Sequence, residues 1–265
     1  MSGINQAERA RLAWDELISV ASTRSTTTYG QLGSAIGVHH RAIRYVLSLL
    51  QDYCIEARLP PLTILVVNAT GRPGTGFIAY DLEDFDQGLE LVWGRDWKAV
   101  SNPFTFASDG TSYKQLVTVL AHDPDNAKDV YALVKSRGVR HLLFRDALRR
   151  VYGRRCAFTG VSIEEALEAS HIISWSHATP AQQMDVRNGL LLNSFHHRLF
   201  DCAYLTITQD LVIQYCDPKG SEWKHNKIER SLTMAFHGKA MRIPRLKKHR
   251  LLPEYVKRHN ELVEW

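Results

Sequence analysis

Residues 169–201 read ASHIISWSHATPAQQMDVRNGLLLNSFHHRLFD, and two apolar runs in them, ASHIISW (169–175) and GLLLN (189–193), have the length and composition of buried β-strands. A polar loop carrying Pro180 separates them. SFHHRLFDC (194–202) follows directly and reads as a helix with Ser194 as its N-cap. The order is strand, loop, strand, helix. It puts His171 at the end of the first strand, Asn188 at the mouth of the second, and His196, His197 and Asp201 on the helix. His197 and Asp201 are four residues apart and share one helical face. An imidazole and a carboxylate on one face, opposite a strand-borne histidine, form a metal-site pattern.

Upstream, VRHLLFRDALRRVYGRRC (139–156) predicts a helix with Leu142, Leu143, Ala147, Leu148 and Val151 inward. Its arginines, with Arg154 and Arg155 just beyond, either bind phosphate or form a solvated face. Downstream, AYLTITQDLVIQY (203–215) predicts a hairpin, and Pro253 opens a final helix. The basic run Arg242, Arg245, Lys247, Lys248 and Arg250 either tracks a nucleic-acid backbone or edges a solvated tail.

The N-terminal part has a different texture. Residues 6–22 predict an amphipathic helix with Ala10, Trp14, Leu17 and Ala21 on one face. Thr28 is a predicted N-cap for a short helix ended by Gly37. A longer helix from Val38, with Val38, Ala42, Tyr45, Val46 and Leu49 inward and Arg41 and Arg44 outward, must stop by Pro60. LTILVV (62–67) predicts a buried strand, and NATGRPGTGF a Gly/Pro turn of hairpin or wing type. This outline is helix-turn-helix or winged-helix, and TTYGQLGSAIG…RAIRYVL…LPPLTILVVN resembles the DNA-binding domain of alkyltransferase-like proteins. Arg41 and Arg44 are accordingly either DNA contacts or solvated residues of a helical bundle. Phe85, Leu89, Trp93 and Trp97 predict a core-facing stripe, and residues 123–138 a connecting helix capped at Gly138.

The stretches FRDALRRVYGRRCAFTG, LEASHIISWS, DVRNGLLLNSFHHRLFD and LTIT resemble the HNH endonuclease family, in the branch found in restriction and phage-defence nucleases, over about 140–215. The resemblance implies a ββα-metal finger that cuts DNA with a divalent cation. It implies His171 as general base, Asn188 as the residue that holds the loop, and His197 and Asp201 as metal ligands. Ser170 stands where many relatives have Asp or His, so Ser170 binds through water or Glu168 reaches in. Mg²⁺ or Mn²⁺ suits a carboxylate site with open water positions, and a nitrogen ligand admits Ni²⁺ or Zn²⁺. Arg154, Arg155 and Arg198 are candidate phosphate clamps. Many relatives hold a structural zinc with two CxxC pairs, whereas Cys156 here stands in CAFTG and is expected to be a packed thiol.

The whole chain fits this frame. Its 265 residues suit two modest domains, and a formal net charge of +5 leans towards a polyanion partner. Four dispersed cysteines, Cys54, Cys156, Cys202 and Cys216, make no disulfide framework. No run approaches the ~20 apolar residues of a membrane helix, and MSGINQAERARLAWDEL is no signal peptide, so a cytoplasmic protein is expected. The expected fold class is α+β: a recognition domain over 1–105, a connecting segment over 106–138 and an HNH nuclease domain over 139–265. The expected protein is a metal-dependent endonuclease of double-stranded DNA acting as a homodimer in restriction or phage defence, modification-dependent or not. The alternatives are a nicking or homing-type nuclease and a non-catalytic DNA-binding protein that keeps the finger as scaffold.

Overall fold

A computed structural model describes residues 4–265 and has an α+β fold, rich in helix, with three two-stranded sheets among the described residues. The chain divides into two compact units. One comprises the residues up to Leu116 together with Ala132–Leu143, the other Val117–Tyr131 together with Phe144–Trp265.

The first unit is built on α1 (Gln6–Ser22), whose Ala10, Ala13, Trp14, Leu17 and Ala21 are buried. Asn5 caps it by accepting from the amides of Ala7 and Glu8. Trp14 meets the rings of Tyr53 and Trp97 edge-on, at centroid distances of 5.4 and 5.8 Å. A short strand β1 (Thr27–Thr28) leads into α2 (Tyr29–Ala35), where Thr28 and Gln31 form a reciprocal capping box. The next helix, α3, spans Ile43–Glu56 rather than starting at Val38, because residues 40–42 wind as a separate 3₁₀ turn. That register buries Ile43, Val46, Leu50, Tyr53 and Cys54 and leaves Tyr45, expected inside, exposed.

The run LTILVV is buried as expected but is not a strand along its length. Leu62–Leu65 form a 3₁₀ turn, and only β2 (Val66–Val67) pairs, in parallel with β1. A short apolar run does not distinguish a buried turn from a buried strand by periodicity. Helix α4 (Phe85–Trp93) buries Phe85, Leu89 and Val92. Helices α5 (Tyr113–His122), α6 (Ala127–Leu133) and α7 (Arg137–Val151) follow. Gly138 lies in the first turn of α7 instead of capping the helix before it, because its missing side chain admits the Tyr53 ring: a Cβ there would sit 2.8 Å from Tyr53 Cε2.

In the second unit, β3 (Leu167–His171) and β4 (Gly189–Asn193) form an antiparallel hairpin in the register Leu167↔Asn193 to His171↔Gly189. Helix α8 (Pro180–Met184) interrupts the connection. Leu190, Leu191 and Leu192 are fully buried, each worth roughly 1.5–3 kcal/mol relative to exposure. Helix α9 (Ser194–Asp201) continues directly from β4 and packs on both strands. Its cap is Asn193, which accepts from the His196 amide at 2.9 Å, and not Ser194. A second hairpin, β5 (Leu205–Ile207) with β6 (Ile213–Tyr215), follows, then α10 (Lys227–Leu232) and α11 (Pro253–Leu262). Among the described residues, no helix is long and apolar enough to cross a membrane.

Candidate active site

Alternation along β3 sorts the candidate residues onto two faces. Side chains of successive strand residues point oppositely, and residues paired across an antiparallel ladder point the same way. Glu168 and Ser170, with their partners Leu192 and Leu190, therefore share one face, and His171 shares the other with Gly189. The first face receives α9: His197 Nδ1 lies 2.5 Å from Glu168 Oε2. The second receives α7: the His171 ring stacks on Phe144 at 4.0 Å and 11°. The structure thus gathers Glu168, His197 and Asp201 on one face and sets His171 on the other.

Gly189 makes the second face possible. A Cβ at this position would come within 2.6 Å of Leu148 Cδ1 and Phe144 Cζ, so only glycine lets α7 approach closely enough for Phe144 to lie on His171. The Tyr152 hydroxyl, on the residue just beyond α7, donates to the Gly189 carbonyl at 3.1 Å, and its burial pushes the phenol pKa up.

His171 is fixed at a second edge. Its Nε2 is 3.0 Å from the Gln183 carbonyl. A carbonyl only accepts, so Nε2 carries the proton and the neutral ring has its lone pair on Nδ1. Trp175 meets the ring edge-on at 5.6 Å. The Gln183 side chain, in turn, donates to the Trp175 carbonyl at 2.9 Å and to that of Ala178 at 3.3 Å, tying the loop to itself.

Asn188 is fully buried. Its Oδ1 accepts from Ile173 N at 2.8 Å, and its Nδ2 donates to the carbonyls of Ile173, at 3.2 Å, and Gln182, at 3.0 Å. One amide therefore clamps both shoulders of the loop, next to the residue whose carbonyl holds His171. Asp185 and Arg187 close the loop base: Arg187 forks onto Asp185 at 2.9 Å and reaches Asp125 at 2.9 Å, which holds the guanidinium pKa above its usual value.

On the α9 face, His197 stands between two carboxylates: Glu168 at Nδ1, and Asp201 Oδ2 at 3.5 Å from Nε2. All three are solvent-accessible, at 23%, 48% and 49% of their side chains. Imidazole nitrogen with carboxylate oxygen is a donor set that divalent cations take, so the chemistry fits an ion. Among the described residues, however, no three His, Cys, Asp or Glu side chains surround a common point. The reason is geometric, since the ring nitrogens point away from each other and the carboxylates occupy opposite edges of one imidazole. His197 Nε2 and Asp201 are the groups that would hold a cation, while Glu168 accepts the Nδ1 proton and orients the ring. Ser170 lies on the same face, 1% exposed, and its buried Oγ has no hydrogen-bond partner.

Asp201 is close enough to His259, on α11, to raise that residue's pKa against the larger lowering by burial. His259 Nδ1 lies 2.9 Å from the carbonyl of Ile172, the residue after His171.

The remaining candidates scatter. His196 is buried, with Nδ1 2.9 Å from Asn193 Oδ1 and Nε2 2.9 Å from the Leu232 carbonyl, and burial lowers its pKa. Arg198 is exposed on α9. Arg154 pairs with Glu164 at 2.5 Å, and Arg155 donates to the Gly160 carbonyl at 3.2 Å. In the first unit, Arg41 is exposed, and Arg44 donates to the Tyr45 hydroxyl at 2.6 Å with its guanidinium over that ring. Cys156 is a buried free thiol that accepts from Thr159 N at 3.5 Å.

Phe144, Gln183 and His259 were not among the residues singled out from the sequence. Gln183 and His259 act through backbone carbonyls, which leave no mark in a sequence. Phe144 stood in plain view among the apolar positions of α7, but nothing in the string says which strand residue it meets.

Comparison with known proteins gives residues 156–208 as a match to the family described as HNH endonuclease. A similar solved structure is that of a modification-dependent restriction endonuclease, TagI, at 16% identity and a TM-score of 0.33, covering 45% of this chain and 37% of that one. The chain thus spans well under half the length of that protein. No curated protein matches the chain.

Proposed function

We propose, from the match of residues 156–208 to the HNH endonuclease family, that the chain is a nuclease that hydrolyses phosphodiester bonds of double-stranded DNA with the help of a divalent cation. The observation that carries the reading is the division of labour across the β3–β4 hairpin. A histidine with a fixed tautomer stands on one face, and a carboxylate-flanked imidazole on the other.

Phosphodiester hydrolysis is an in-line displacement. The attacking water and the leaving oxygen lie on opposite sides of a single phosphorus atom, so the base and the cation site have to meet one phosphate at the end of β3. His171, with its lone pair on Nδ1, takes the proton of the attacking water. An imidazole suits this because its ordinary pKa of ~6.5 lies near the working pH. Asn188 holds the loop whose Gln183 carbonyl fixes the tautomer. His197 Nε2 and Asp201 would hold the cation, Mg²⁺ or Mn²⁺ by donor hardness, with Ni²⁺ or Zn²⁺ also compatible with the nitrogen ligand. Glu168 orients His197, and Ser170, almost fully buried, contributes through a water at most. When bound, the ion supplies a Lewis acid at the scissile phosphate. His259 Nδ1 holds the Ile172 carbonyl at 2.9 Å, next to His171, and so fixes the end of β3 where the two faces have to meet.

The wider reading follows from the sequence resemblance. The unit containing Arg41 and Arg44 positions DNA, and Arg154, Arg155 and Arg198 border the phosphate path. Two chains cut the two strands, and the context is restriction of foreign or modified DNA in the cytoplasm. The test is supercoiled plasmid incubated with Mg²⁺ or Mn²⁺ and with chelator, using methylated and unmethylated DNA in parallel. Nicked or linear product that the chelator abolishes supports the reading. Binding without cleavage in any of the cations supports the scaffold reading instead.

A further inference from the structure

The first unit contains a cleft of about 910 Å³ that the nuclease chemistry does not use. It is lined by the C-terminal end of α3, the segment 95–105 and the start of α7. Arg58, Arg95, Lys135 and Arg137 line it, against a single carboxylate, Glu56, which is already engaged by His141 Nδ1 at 3.0 Å. Among the described residues, Arg58, Arg95 and Lys135 form no ion pair. Like charges held around one hollow repel each other unless an anion joins them.

Arg58 sharpens the point. It occupies the left-handed position after α3, at φ +53°, where glycine is the favoured residue, and the Leu59 amide closes the turn onto the Cys54 carbonyl at 2.8 Å. The chain thus sets a guanidinium at the lip of the cleft in a backbone conformation that L residues adopt at a cost. The rest of the lining is mixed: Tyr53, Leu59, Ala99 and Val100 give apolar surface beside the cations, and Ser101, Asn102, Thr105 and Ser136 give polar groups.

We propose that this cleft binds a nucleoside polyphosphate, the cations taking the phosphates and the apolar surface the base. The volume is that of a small-ligand site. A duplex, about 20 Å wide, follows convex or grooved surfaces, whereas this hollow admits a compact anion. The cleft also stands apart from Arg41 and Arg44, the arginines of its own unit assigned to DNA. Arg44 and Arg58 lie at opposite ends of α3, about 20 Å apart at 1.5 Å per residue.

The test titrates ATP into the full-length protein by calorimetry with chelator present, so that neither cleavage nor the metal of the nuclease site contributes. Adenosine, a short DNA duplex and the variants Lys135→Glu, Arg95→Glu and, as control, Arg41→Glu complete the set. The expected result is saturable ATP binding with one site per chain. Adenosine binds at least tenfold more weakly, each cleft variant weakens ATP at least tenfold with its thermal midpoint unchanged, and Arg41→Glu leaves ATP binding intact. The proposal is overturned by no saturable ATP binding at millimolar concentration, by variants that bind ATP as the wild type does, or by a duplex that displaces ATP and loses affinity in the same cleft variants. Plasmid cleavage by the same preparation is measured separately, so loss of this proposal leaves the nuclease reading standing.

Discussion

Replacing Asn188 by alanine removes the amide that clamps the β3–β4 loop, and its cost can be worked from three contacts. Ile173 N and the Ile173 carbonyl lose buried partners at 2.8 and 3.2 Å, and the Gln182 carbonyl loses a partly buried one at 3.0 Å. A hydrogen bond contributes about 1 kcal/mol net, and a buried group left unsatisfied costs about 1–3 kcal/mol. The three losses come to about 3 kcal/mol, most of it from the two buried Ile173 groups, which water does not reach. At roughly 4 °C per kcal/mol for a unit of this size, the midpoint of the second unit falls by about 12 °C in scanning calorimetry. Cleavage falls with it, because the same loop presents the Gln183 carbonyl to His171. Asn188→Asp keeps the shape but turns a donor into an acceptor facing two carbonyls, and destabilises comparably. A midpoint drop below about 3 °C for the alanine variant refutes the clamp, as does full cleavage activity at a temperature where the variant is folded.

Other perturbations reach the remaining parts of the site. Glu168→Ala lowers Mn²⁺ affinity about 10–100-fold, the usual cost of losing a carboxylate that orients a metal-bound histidine, and titration calorimetry reads it directly; unchanged affinity removes Glu168 from that role. Gly189→Ala drives a methyl into Leu148 and Phe144 at 2.6 Å and costs about 1–3 kcal/mol of stability, read as a lower denaturation midpoint, with cleavage reduced through the displaced Phe144 stack. Acid titration isolates His259, which stacks on Phe200 at 4.4 Å, has a buried Nε2 with no hydrogen-bond partner and has its pKa lowered chiefly by burial. The unfolded state then binds the proton more readily below pH ~6.5, so its contribution is intact above that pH and drains as pH falls. His259→Gln reduces the slope of the thermal midpoint between pH 7 and 5 without abolishing it, because burial also lowers the pKa of His196 and His249, and an unchanged slope contradicts the assignment.

How far the sequence carried these conclusions depends on what kind of group does the work. The order of strand, loop, strand and helix over 167–201 was legible because each element has its own period and sharp punctuation, and Thr28 capped α2 as its spacing required. The family resemblance at the HNH segment rested on side chains in order and agrees with the match over residues 156–208. The facing of the hairpin was not legible as read. His171 was expected to converge with His197 and Asp201, yet strand parity places it against Phe144, because parity follows from which residue starts the ladder. Cap and turn details slipped where two residues compete for one task, as Asn193 outcompetes Ser194 with a longer side chain that reaches the His196 amide. LTILVV was buried as expected but wound into a 3₁₀ turn after Pro61, since apolar content fixes burial more firmly than backbone geometry.

The central claim is that the imidazole at 171 moves the proton of the attacking water. Single-turnover cleavage of plasmid by His171→Ala, at saturating enzyme and fixed Mn²⁺, tests it most directly. The account predicts a rate lower by about 10²–10⁴-fold, the range of a lost general base, with DNA and Mn²⁺ affinity retained. A variant that cuts within tenfold of the wild-type rate contradicts it.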